Sequence, residues 1–374
     1  MTAGSAAIAT AASSIAAAPV PPAAPSLAEK VRFLMRPDAY PERPASGRVE
    51  AIETHMSWVF LAGRHAYKLK KPVRLDHLDV RTLEQRRRNG EQELRLNRRL
   101  APDAYLDLVP LRQAPDGRLS LDGGEGAIVD WLVRMRRLPA GRTLDDALRR
   151  SSGDGGDRRR PVRRQEIERI GRRLVAFFRA CPPVPLSLVA YAGRFRHEID
   201  LCVQELTALG DRPLADAAQR IARVLRRYPA RHGSRLAARL RDRRIVEGHG
   251  DLRPEHVFLS DPPLVIDCLE FSRELRLLDP LDEVAYLGME CERLGAAWIG
   301  EELLAVYRRA TGDDPPDDLV AFYRAMRALI RARIAICHLR EPHVRNPAEW
   351  PRRAAAYLRI AERDLRRLRA GPLR

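Results

Sequence analysis

Near its middle the chain reads Gly248-His249-Gly250-Asp251-Leu252-Arg253-Pro254-Glu255-His256-Val257 and then Val265-Ile266-Asp267-Cys268-Leu269-Glu270-Phe271. The segment Ser260-Asp261-Pro262-Pro263 between them is typical of a turn, so the apolar segments 257–259 and 264–266 predict a short antiparallel hairpin. Asp251 precedes the first strand and Asp267 follows the second. Because these two positions meet at the same end of a hairpin, we expect both carboxylates to face one site.

Two carboxylates at one site suit phosphoryl transfer. One orients the attacking hydroxyl and accepts its proton, while the other holds the divalent cation that neutralises charge on the phosphate oxygens. Asp251 suits the first role and Asp267 the second, which makes Asp251 the candidate catalytic residue and Asp267 a candidate metal ligand.

The segments around this hairpin predict an α+β fold with two parts. Alternating apolar residues predict strands at 48–53, 57–61 and 66–73, joined as a meander, and helical spacing follows at 82–100. Further strands are predicted at 106–112, 119–121 and 127–135. From residue 144 onward the pattern is helical, with starts near residues 165, 196, 214, 234, 282, 298, 319 and 348.

Charge, apolar stretches and cysteines limit the partners and the cellular location that we expect for the protein. The formal charge of +17 would suit a nucleic-acid partner. The basic residues are, however, spread along nearly every helix and form no single patch in the sequence, which argues against such a partner. The sequence contains no stretch of eighteen apolar residues, so no membrane span is predicted, and no signal peptide is recognised. Five cysteines without metal-type spacing fit a reduced, cytoplasmic protein.

Lysine is rare and clustered. Only four of the 67 basic residues are lysine, and Lys68, Lys70 and Lys71 fall within four positions. A compact ammonium suits phosphate oxygens where a planar guanidinium does not fit, so this cluster indicates a phosphate-binding strand.

The hairpin motif resembles the aminoglycoside phosphotransferase and choline kinase-like superfamily, whose catalytic loop reads HGDxxxxN and whose metal aspartate follows one hairpin later. Residues 279–285, Asp-Pro-Leu-Asp-Glu-Val-Ala, resemble its DPxxDLA segment, and 323–336 its closing helix. Residues 53–61, 66–72 and 93–97 resemble an uncharacterised bacterial branch that is often fused to a P-loop ATP-binding domain. The motif of that domain, GxxxxGK[ST], does not occur in these 374 residues.

The resemblance implies a bilobal protein-kinase-like fold. We expect a disordered Ala/Pro-rich tail at 1–26, a nucleotide-binding lobe at 27–135 with an antiparallel sheet and one main helix, and a mostly helical lobe at 136–374 that carries the catalytic hairpin and the acceptor site. The implied reaction is transfer of a phosphoryl group from ATP, or alternatively GTP, to a hydroxyl of a small molecule. The implied cation is Mg²⁺, with Mn²⁺ as the alternative.

In kinase-like folds a lysine of the third strand binds the α- and β-phosphates and is held by a glutamate of the next helix. Lys68 and Glu93 are the residues expected in these roles. Lys70 lies on the same strand face as Lys68 and Glu91 is two residues from Glu93, so both pairs of alternatives stay open.

The usual glycine-rich phosphate loop is absent from the sequence between the first two strands. Thr54 and Ser57 stand there, and their hydroxyls either cradle phosphate or close a plain hairpin turn. Adenine is expected at the junction of the lobes, where main-chain groups near Arg136 and Leu138 can pair with its edge.

The motif departs from the family at one position. His256 stands where the family has the metal-binding asparagine, so we expect either a ligand that favours manganese or a supporting residue, with Glu270 as a substitute oxygen ligand. His249 is expected to brace the catalytic loop. In the family, the aspartate at the position of Asp282 supports this loop through backbone hydrogen bonds, so the same structural role is expected of Asp282.

Two other functions remain as alternatives. The departure at His256 and the missing glycine loop fit a nucleotide-binding, pseudokinase-like regulator without transfer activity. The charge alone fits a nucleic-acid binder, whose affinity would fall steeply with salt.

Overall fold

The structure is a computed structural model that describes residues 23–43, 45, 47–75, 78–152, 161–340, 344 and 346–370. Residues 1–22 of the predicted tail lie outside the described residues. Ser26, the last residue of that predicted tail, caps the first helix, with its hydroxyl accepting the N–H of Glu29 at 3.2 Å. The sequence did not predict this helix.

The amino-terminal part is built on one antiparallel sheet. Its helices and strands are α1 (Leu27–Leu34), β1 (Glu50–Glu53), β2 (Ser57–Ala62), β3 (His65–Lys70), β4 (Arg74–Leu75), β5 (Leu78–Asp79), α2 (Leu83–Asn97), β6 (Tyr105–Gln113), β7 (Leu119–Leu121) and β8 (Ala127–Arg136). The order of the six-stranded sheet is β1-β2-β3-β8-β6-β7. The predicted meander is therefore confirmed as β1, β2 and β3.

Helix α2 packs on β6 and β8. Thr82 caps it, with its hydroxyl accepting the N–H of Gln85 and the Gln85 side chain returning to the Thr82 N–H. At Gly90 a Cβ would lie 2.5 Å from a methyl carbon of Leu108 on β6, so glycine permits the close approach of helix and sheet. This packing holds Glu93 of α2 opposite β3.

The rest of the described chain is mostly helical. It contains α3 (Leu144–Ser152), α4 (Arg164–Ala180), α5 (Leu188–Ala208), α6 (Arg212–Arg231), α7 (Gly233–Arg241), β9 (Val246–Glu247), β10 (Val257–Phe258), β11 (Leu264–Val265), β12 (Leu277–Leu278), α8 (Pro280–Arg293), α9 (Ala297–Thr311), α10 (Asp317–Cys337) and α11 (Glu349–Ala370). Strands β10 and β11 pair antiparallel, which confirms the predicted hairpin.

Three apolar clusters hold these parts together. The largest fills the helical part, a second lies between α1 and the sheet, and a third joins α2, β6 and β8 to Leu138, Leu264 and Ile266. The third cluster fixes the hairpin against the sheet. The predicted α+β architecture, with a sheet-based amino-terminal part and a helical carboxy-terminal part, is thus confirmed.

All five cysteines are among the described residues and none is paired in a disulfide. In the described part of the chain, every helix is too short or too polar to cross a bilayer.

Candidate functional site

The loop that carries Asp251 is braced from within. Gly250 has a φ of +87°, a left-handed conformation that glycine adopts without strain. The buried His249 ring donates from Nε2 to the carbonyl of Ile266 at 2.9 Å and accepts the N–H of Asp251 at Nδ1 over 3.3 Å. Burial lowers the pKa of His249 to about 4, so the ring is neutral and keeps this tautomer. His249 therefore ties the loop to the end of β11.

A second brace comes from α8, and it corrects one expectation. Glu283, fully buried, accepts the N–H groups of His249 at 2.9 Å and Gly250 at 2.5 Å. Asp282 instead accepts two hydrogen bonds of 2.8 Å from Arg327, whose Nη1 donates to the carbonyl of Gly250 at 3.4 Å. Neighbouring helix residues point about 100° apart, and it is Glu283 that faces the loop. The expectation of direct backbone hydrogen bonds from Asp282 is therefore wrong.

Asp251 is held by side chains of the helical part. Tyr286 of α8 donates its hydroxyl to Oδ1 at 2.9 Å, and Arg253 Nη1 lies 3.5 Å from Oδ2. Burial opposes ionisation, but Arg253 and His256 outweigh it and lower the pKa of Asp251. The carboxylate is thus ionised at neutral pH and can accept a hydrogen bond from a hydroxyl.

Asp267 sits in an unusual backbone conformation. Its φ is +61°, a left-handed geometry that is rare for residues other than glycine and clusters at functional sites. Its N–H donates to the Tyr105 hydroxyl at 3.2 Å, and its Oδ1 accepts from Lys68 Nζ at 3.0 Å. Lys68 is the main cause that lowers the pKa of Asp267, against the effect of burial. This backbone turns the carboxylate toward β3.

The ring of His256 lies between the two aspartates. Its Nδ1–H donates to the main-chain carbonyl of Asp251 at 2.9 Å and lies 3.9 Å from Asp251 Oδ2. Its Nε2 lies 3.5 Å from Asp267 Oδ2. Antiparallel pairing of the hairpin thus brings both carboxylates to one site, as the sequence predicted, and the imidazole between them was not predicted.

Two lysines of β3 share one glutamate of α2. Lys68 Nζ donates to Glu93 Oε1 at 2.8 Å, and Lys70 Nζ forms an ion pair with Glu93 Oε2 at 2.5 Å, at angles outside those of a hydrogen bond. Lys70 also pairs with Glu270. Burial opposes the charge, but Asp267 and Glu93 outweigh it and raise the pKa of Lys68. Lys68 therefore faces Asp267, while Lys70 engages Glu270.

The geometry separates the two candidate glutamates. Glu93 is fully buried against β3, whereas Glu91 is exposed and pairs with Arg87 on its own helix at 2.6 Å. Lys68 and Lys70 both reach Glu93, so this contact does not decide between the two lysines. They differ in the partner that each meets in the helical part, Asp267 for Lys68 and Glu270 for Lys70.

The sequence did not single out two further residues that join α2 to the hairpin. Asn97 accepts the N–H of Cys268 at Oδ1 over 2.8 Å and donates from Nδ2 to the carbonyl of Glu93 at 2.9 Å. Arg99 donates to the carbonyls of Glu247 at 2.6 Å and Gly248 at 2.9 Å. Asn97 is the last residue of the stretch 93–97 that resembles the bacterial branch of the family, and this resemblance was a signal that could have identified it.

Thr54 and Ser57 close the turn between β1 and β2. The Thr54 hydroxyl donates to the carbonyl of Ser57 at 2.9 Å and accepts its N–H at 3.0 Å. Ser57 is 1% exposed. These are the contacts of the plain hairpin turn, the second of the two sequence alternatives, and the turn forms part of the cleft wall.

A cleft of about 900 Å³ lies between the sheet and the helical part. At one end Met135, Leu138 and Ile266 present apolar surface. Arg136 also lines this end, with an exposed side chain, and donates its N–H to the carbonyl of Ala104 at 2.7 Å. Within the described chain, no hydrogen-bond partner meets the main-chain groups of Leu138. Asp251 and Asp267 line the middle of the same cleft.

No protein-family model matches the chain. An uncharacterized protein of Mycobacterium tuberculosis is 33% identical over 293 residues, which are 76% of this chain and 54% of that protein. An uncharacterized protein of Mycobacterium bovis matches to the same extent. The chain spans about half the length of the curated relatives it matches.

Two solved structures share the fold. A choline/ethanolamine kinase family protein from Mesorhizobium loti has a TM-score of 0.51 and 18% identity, and the match covers 91% of this chain and 99% of that protein. A choline kinase from Cryptosporidium parvum has a TM-score of 0.53 and 10% identity, over 90% and 96% of the two chains. At these identities the likeness shows a protein-kinase-like fold.

Proposed function

We propose that the chain transfers the terminal phosphoryl group of ATP, or of GTP, to a hydroxyl of a small molecule. The observation that carries this proposal is the pair of ionised aspartates, Asp251 and Asp267, on either side of His256 in one cleft. Lys68 reaches Asp267 from the sheet and is held by buried Glu93. Kinase-like phosphoryl transfer uses this set: an aspartate for the hydroxyl, an aspartate for the cation, and a lysine for the phosphates.

The cleft supports a nucleotide with its base at the apolar end. Leu138 and Ile266 provide a surface for a flat ring, and the main-chain groups of Leu138, which meet no hydrogen-bond partner among the described residues, suit its polar edge. From there the phosphates would extend past Lys68 toward Asp267. We propose residues 27–135 as the nucleotide-binding lobe and 136–374 as the lobe that binds the acceptor.

Asp267 and His256 fit a divalent cation. Because the Nδ1–H of His256 is donated to a carbonyl, Nε2 is the ring atom that can offer a lone pair to a cation, and it faces the carboxylate of Asp267 at 3.5 Å. Two facing acceptors are a donor set that a cation satisfies. A cation bound there would neutralise charge on the phosphate oxygens, and the imidazole favours manganese over magnesium.

Other expected ligands contribute less. Within the described residues, no three His, Cys, Asp or Glu side chains converge to hold a metal by themselves. Glu270, the expected substitute oxygen ligand, is engaged by Lys70. Nucleotide phosphates would therefore complete the coordination, as in other kinase-like sites.

Asp251 would orient the acceptor hydroxyl and take its proton. Tyr286 and Arg253 hold its carboxylate in place. Because its pKa is lowered, the carboxylate is ionised and can accept a hydrogen bond from the hydroxyl. None of these residues requires the acceptor to be an aminoglycoside. We place the enzyme in the cytoplasm, in keeping with five unpaired cysteines.

The test is transfer of label. The full chain is incubated with ATP labelled at the γ-phosphate, Mg²⁺ or Mn²⁺, and a pool of hydroxylated metabolites, and new labelled products are separated. We expect label in a small molecule with the wild-type chain, and a rate lower by about 10²–10⁴-fold with Asp251→Asn. The exposed surface change Asp314→Asn is the matched control and keeps full activity.

Two outcomes would contradict the proposal. If Asp251→Asn transfers label as fast as the wild type, Asp251 is not the residue that handles the acceptor proton. If the chain binds ATP with the metal but no label leaves it with any acceptor, the nucleotide-binding regulator is the better description.

A further inference from the structure

Beyond Asp251 the cleft continues along the ends of α10 and α11. The residues lining this region include Arg253, Arg331, His338, Trp350 and Arg353, which we call the acceptor wall. The acidic residues that line the described cleft are Asp146, Asp251, Asp267 and Glu270. None of them belongs to α10 or α11. The acceptor wall is thus strongly basic.

Two arginines of this wall have incomplete partners. Arg331 donates to Glu290 at 3.0 Å, but Glu290 also accepts from Arg293 at 3.0 Å, so one carboxylate balances two guanidinium groups. Arg353 lies over the ring of Trp350 at 5.8 Å, and the described residues provide no carboxylate that pairs with it.

Arg253 differs from these two arginines, because it forms ion pairs with both Asp251 and Glu255. Among the described residues, the excess of positive charge therefore lies at Arg331 and Arg353.

Two of these guanidinium groups also hold an unsatisfied donor. The Nε atoms of Arg253 and Arg353 are buried, and neither meets a hydrogen-bond acceptor among the described residues. Because these two atoms have almost no accessible surface, a ligand oxygen in the cleft would meet the terminal N–H groups of Arg353 instead.

We propose that the acceptor is an anionic alcohol, a small hydroxylated molecule that also carries a carboxylate or phosphate group. This inference rests on the proposed phosphotransferase function and names the substrate class of the same cleft. Arginine binds planar carboxylate and tetrahedral phosphate oxygens through paired N–H groups. An amino sugar or a quaternary amine would instead bring positive charge against Arg331 and Arg353.

Arg253 and Arg353 are expected to contact different groups of the acceptor. Arg253 is two residues from Asp251 and contacts its carboxylate, so it lies beside the hydroxyl that reacts. Arg353, on α11, would bind the anionic group. His338 and Trp350 stack with their ring centroids 4.2 Å apart and line the same wall, so they add aromatic surface for the carbon skeleton.

The experiment compares acceptors that share a skeleton and differ in charge. The first set is glycerol, glycerate and glycerol 3-phosphate, and the second is glucose, gluconate, glucose 6-phosphate and glucosamine. Initial rates are measured with the full chain, ATP and Mg²⁺ or Mn²⁺. We expect the anionic member to have the higher kcat/KM in at least one set, by tenfold or more, and glucosamine to be the poorest substrate.

A variant pair tests the residue. Arg353→Gln is expected to raise KM for the anionic acceptor at least tenfold, with kcat and the KM for ATP little changed, and Arg353→Lys to recover part of the loss. Arg352→Gln changes an exposed neighbour on the same helix and should have no effect. Preference for a neutral or amino acceptor, or an unchanged KM in Arg353→Gln, would overturn the inference.

A binding measurement separates this inference from the proposed function. If no acceptor is phosphorylated, equilibrium binding of glycerate, gluconate and glycerol 3-phosphate is measured with the ADP-loaded chain. Loss of anion binding in Arg353→Gln, and not in Arg352→Gln, would support the anionic site although transfer had failed. Equal or absent binding in all three proteins would overturn it, whatever the nucleotide results.

Discussion

The two aspartates at the ends of the hairpin are held from opposite sides of the cleft. Asp251 takes its contacts from the helical part, through His249, Arg253 and Tyr286. Asp267 takes its contacts mainly from the sheet, through Lys68 and Tyr105. The carboxylate proposed to handle the acceptor is therefore fixed within one part of the molecule, while the one proposed to hold the cation depends on both.

This difference suggests a division of labour. A residue held by one rigid part keeps its geometry when the cleft opens or closes, whereas a residue held across the cleft responds to such movement. A cation would compete with Lys68 for Asp267, and nucleotide phosphates would compete with Asp267 for Lys68, because all of them meet at this one ion pair. Changes on the sheet side should therefore affect nucleotide and metal, and changes on the helical side should affect transfer.

The largest effect on stability is expected at Lys70. Lys70→Met leaves Glu270 and one oxygen of Glu93 without a cation in a buried site, which should cost about 3–5 kcal/mol. Lys68→Met should cost less, because the Asp267 side chain is 46% exposed and Lys70 remains beside Glu93. The Lys68 change should instead weaken nucleotide binding at least tenfold. Denaturant unfolding and nucleotide titration separate these effects.

Lys71→Met provides the control for both lysines. Lys71 pairs with Glu53, whose side chain is 50% exposed, and such surface pairs contribute less than about 1 kcal/mol. Equal stability of the Lys70 and Lys71 variants would contradict the structural role assigned to Lys70.

A smaller effect separates the two braces of the Asp251 loop by pH. Burial lowers the pKa of His249 to about 4, below its ordinary 6.5, so its contribution to stability is present above pH 6.5 and is lost as pH falls toward 4. Burial raises the pKa of Glu283 to about 7, above its ordinary 4.5, so its contribution is present below pH 4.5 and is lost as pH rises toward 7. Each change amounts to about 3 kcal/mol.

The two contributions have opposite signs and largely cancel in the wild type. In His249→Gln the free energy of unfolding should fall as pH rises from 4.5 to 7, because Glu283 remains. In Glu283→Gln it should rise over the same range, because His249 remains. Urea unfolding of both variants across this range measures the difference, in which other titrating groups cancel. Parallel curves would show that burial does not shift these two groups as described.

The smallest effect is expected at Asn97, on the sheet side of the cleft. Asn97→Ala leaves the buried N–H of Cys268 without an acceptor, which should cost about 1–3 kcal/mol. Because Cys268 follows Asp267, the variant should also weaken metal-dependent nucleotide binding. Asn89→Ala is the matched control on the same helix, since Asn89 Oδ1 is buried without a partner among the described residues. Similar losses in both variants would show that Asn97 does not position the loop.

Much of the fold could be predicted from the sequence because its signals are local. The alternation of residues 57–61 and 66–70 and the turn at 260–263 define strands and hairpin whatever surrounds them. Helix α5 was predicted to start at residue 196 and starts at Leu188. Ser187 caps it, with its hydroxyl accepting the N–H of Ala190 at 3.1 Å, so the sequence does contain a start signal for the helix at this point.

The site was less predictable, because its residues meet only through tertiary contacts. Asp251 and Asp267 could be paired from the hairpin, but nothing local distinguishes Glu283 from Asp282 as the brace of the loop. The partners of Lys68 and Lys70 depend on where α2 and Glu270 come to lie. The arginines of the acceptor wall come from α10, α11 and the catalytic loop, far apart in sequence, so their convergence required the structure.

The most direct test of the central claim is nucleotide binding measured with and without Mg²⁺ or Mn²⁺ in Asp251→Asn and Asp267→Asn. We predict that Asp267→Asn loses the metal-dependent part of nucleotide affinity, whereas Asp251→Asn keeps it and forms no product. If the metal increases affinity equally in both variants and in the wild type, or if Asp251→Asn loses this increase as Asp267→Asn does, the two carboxylates do not have the separate roles assigned to them.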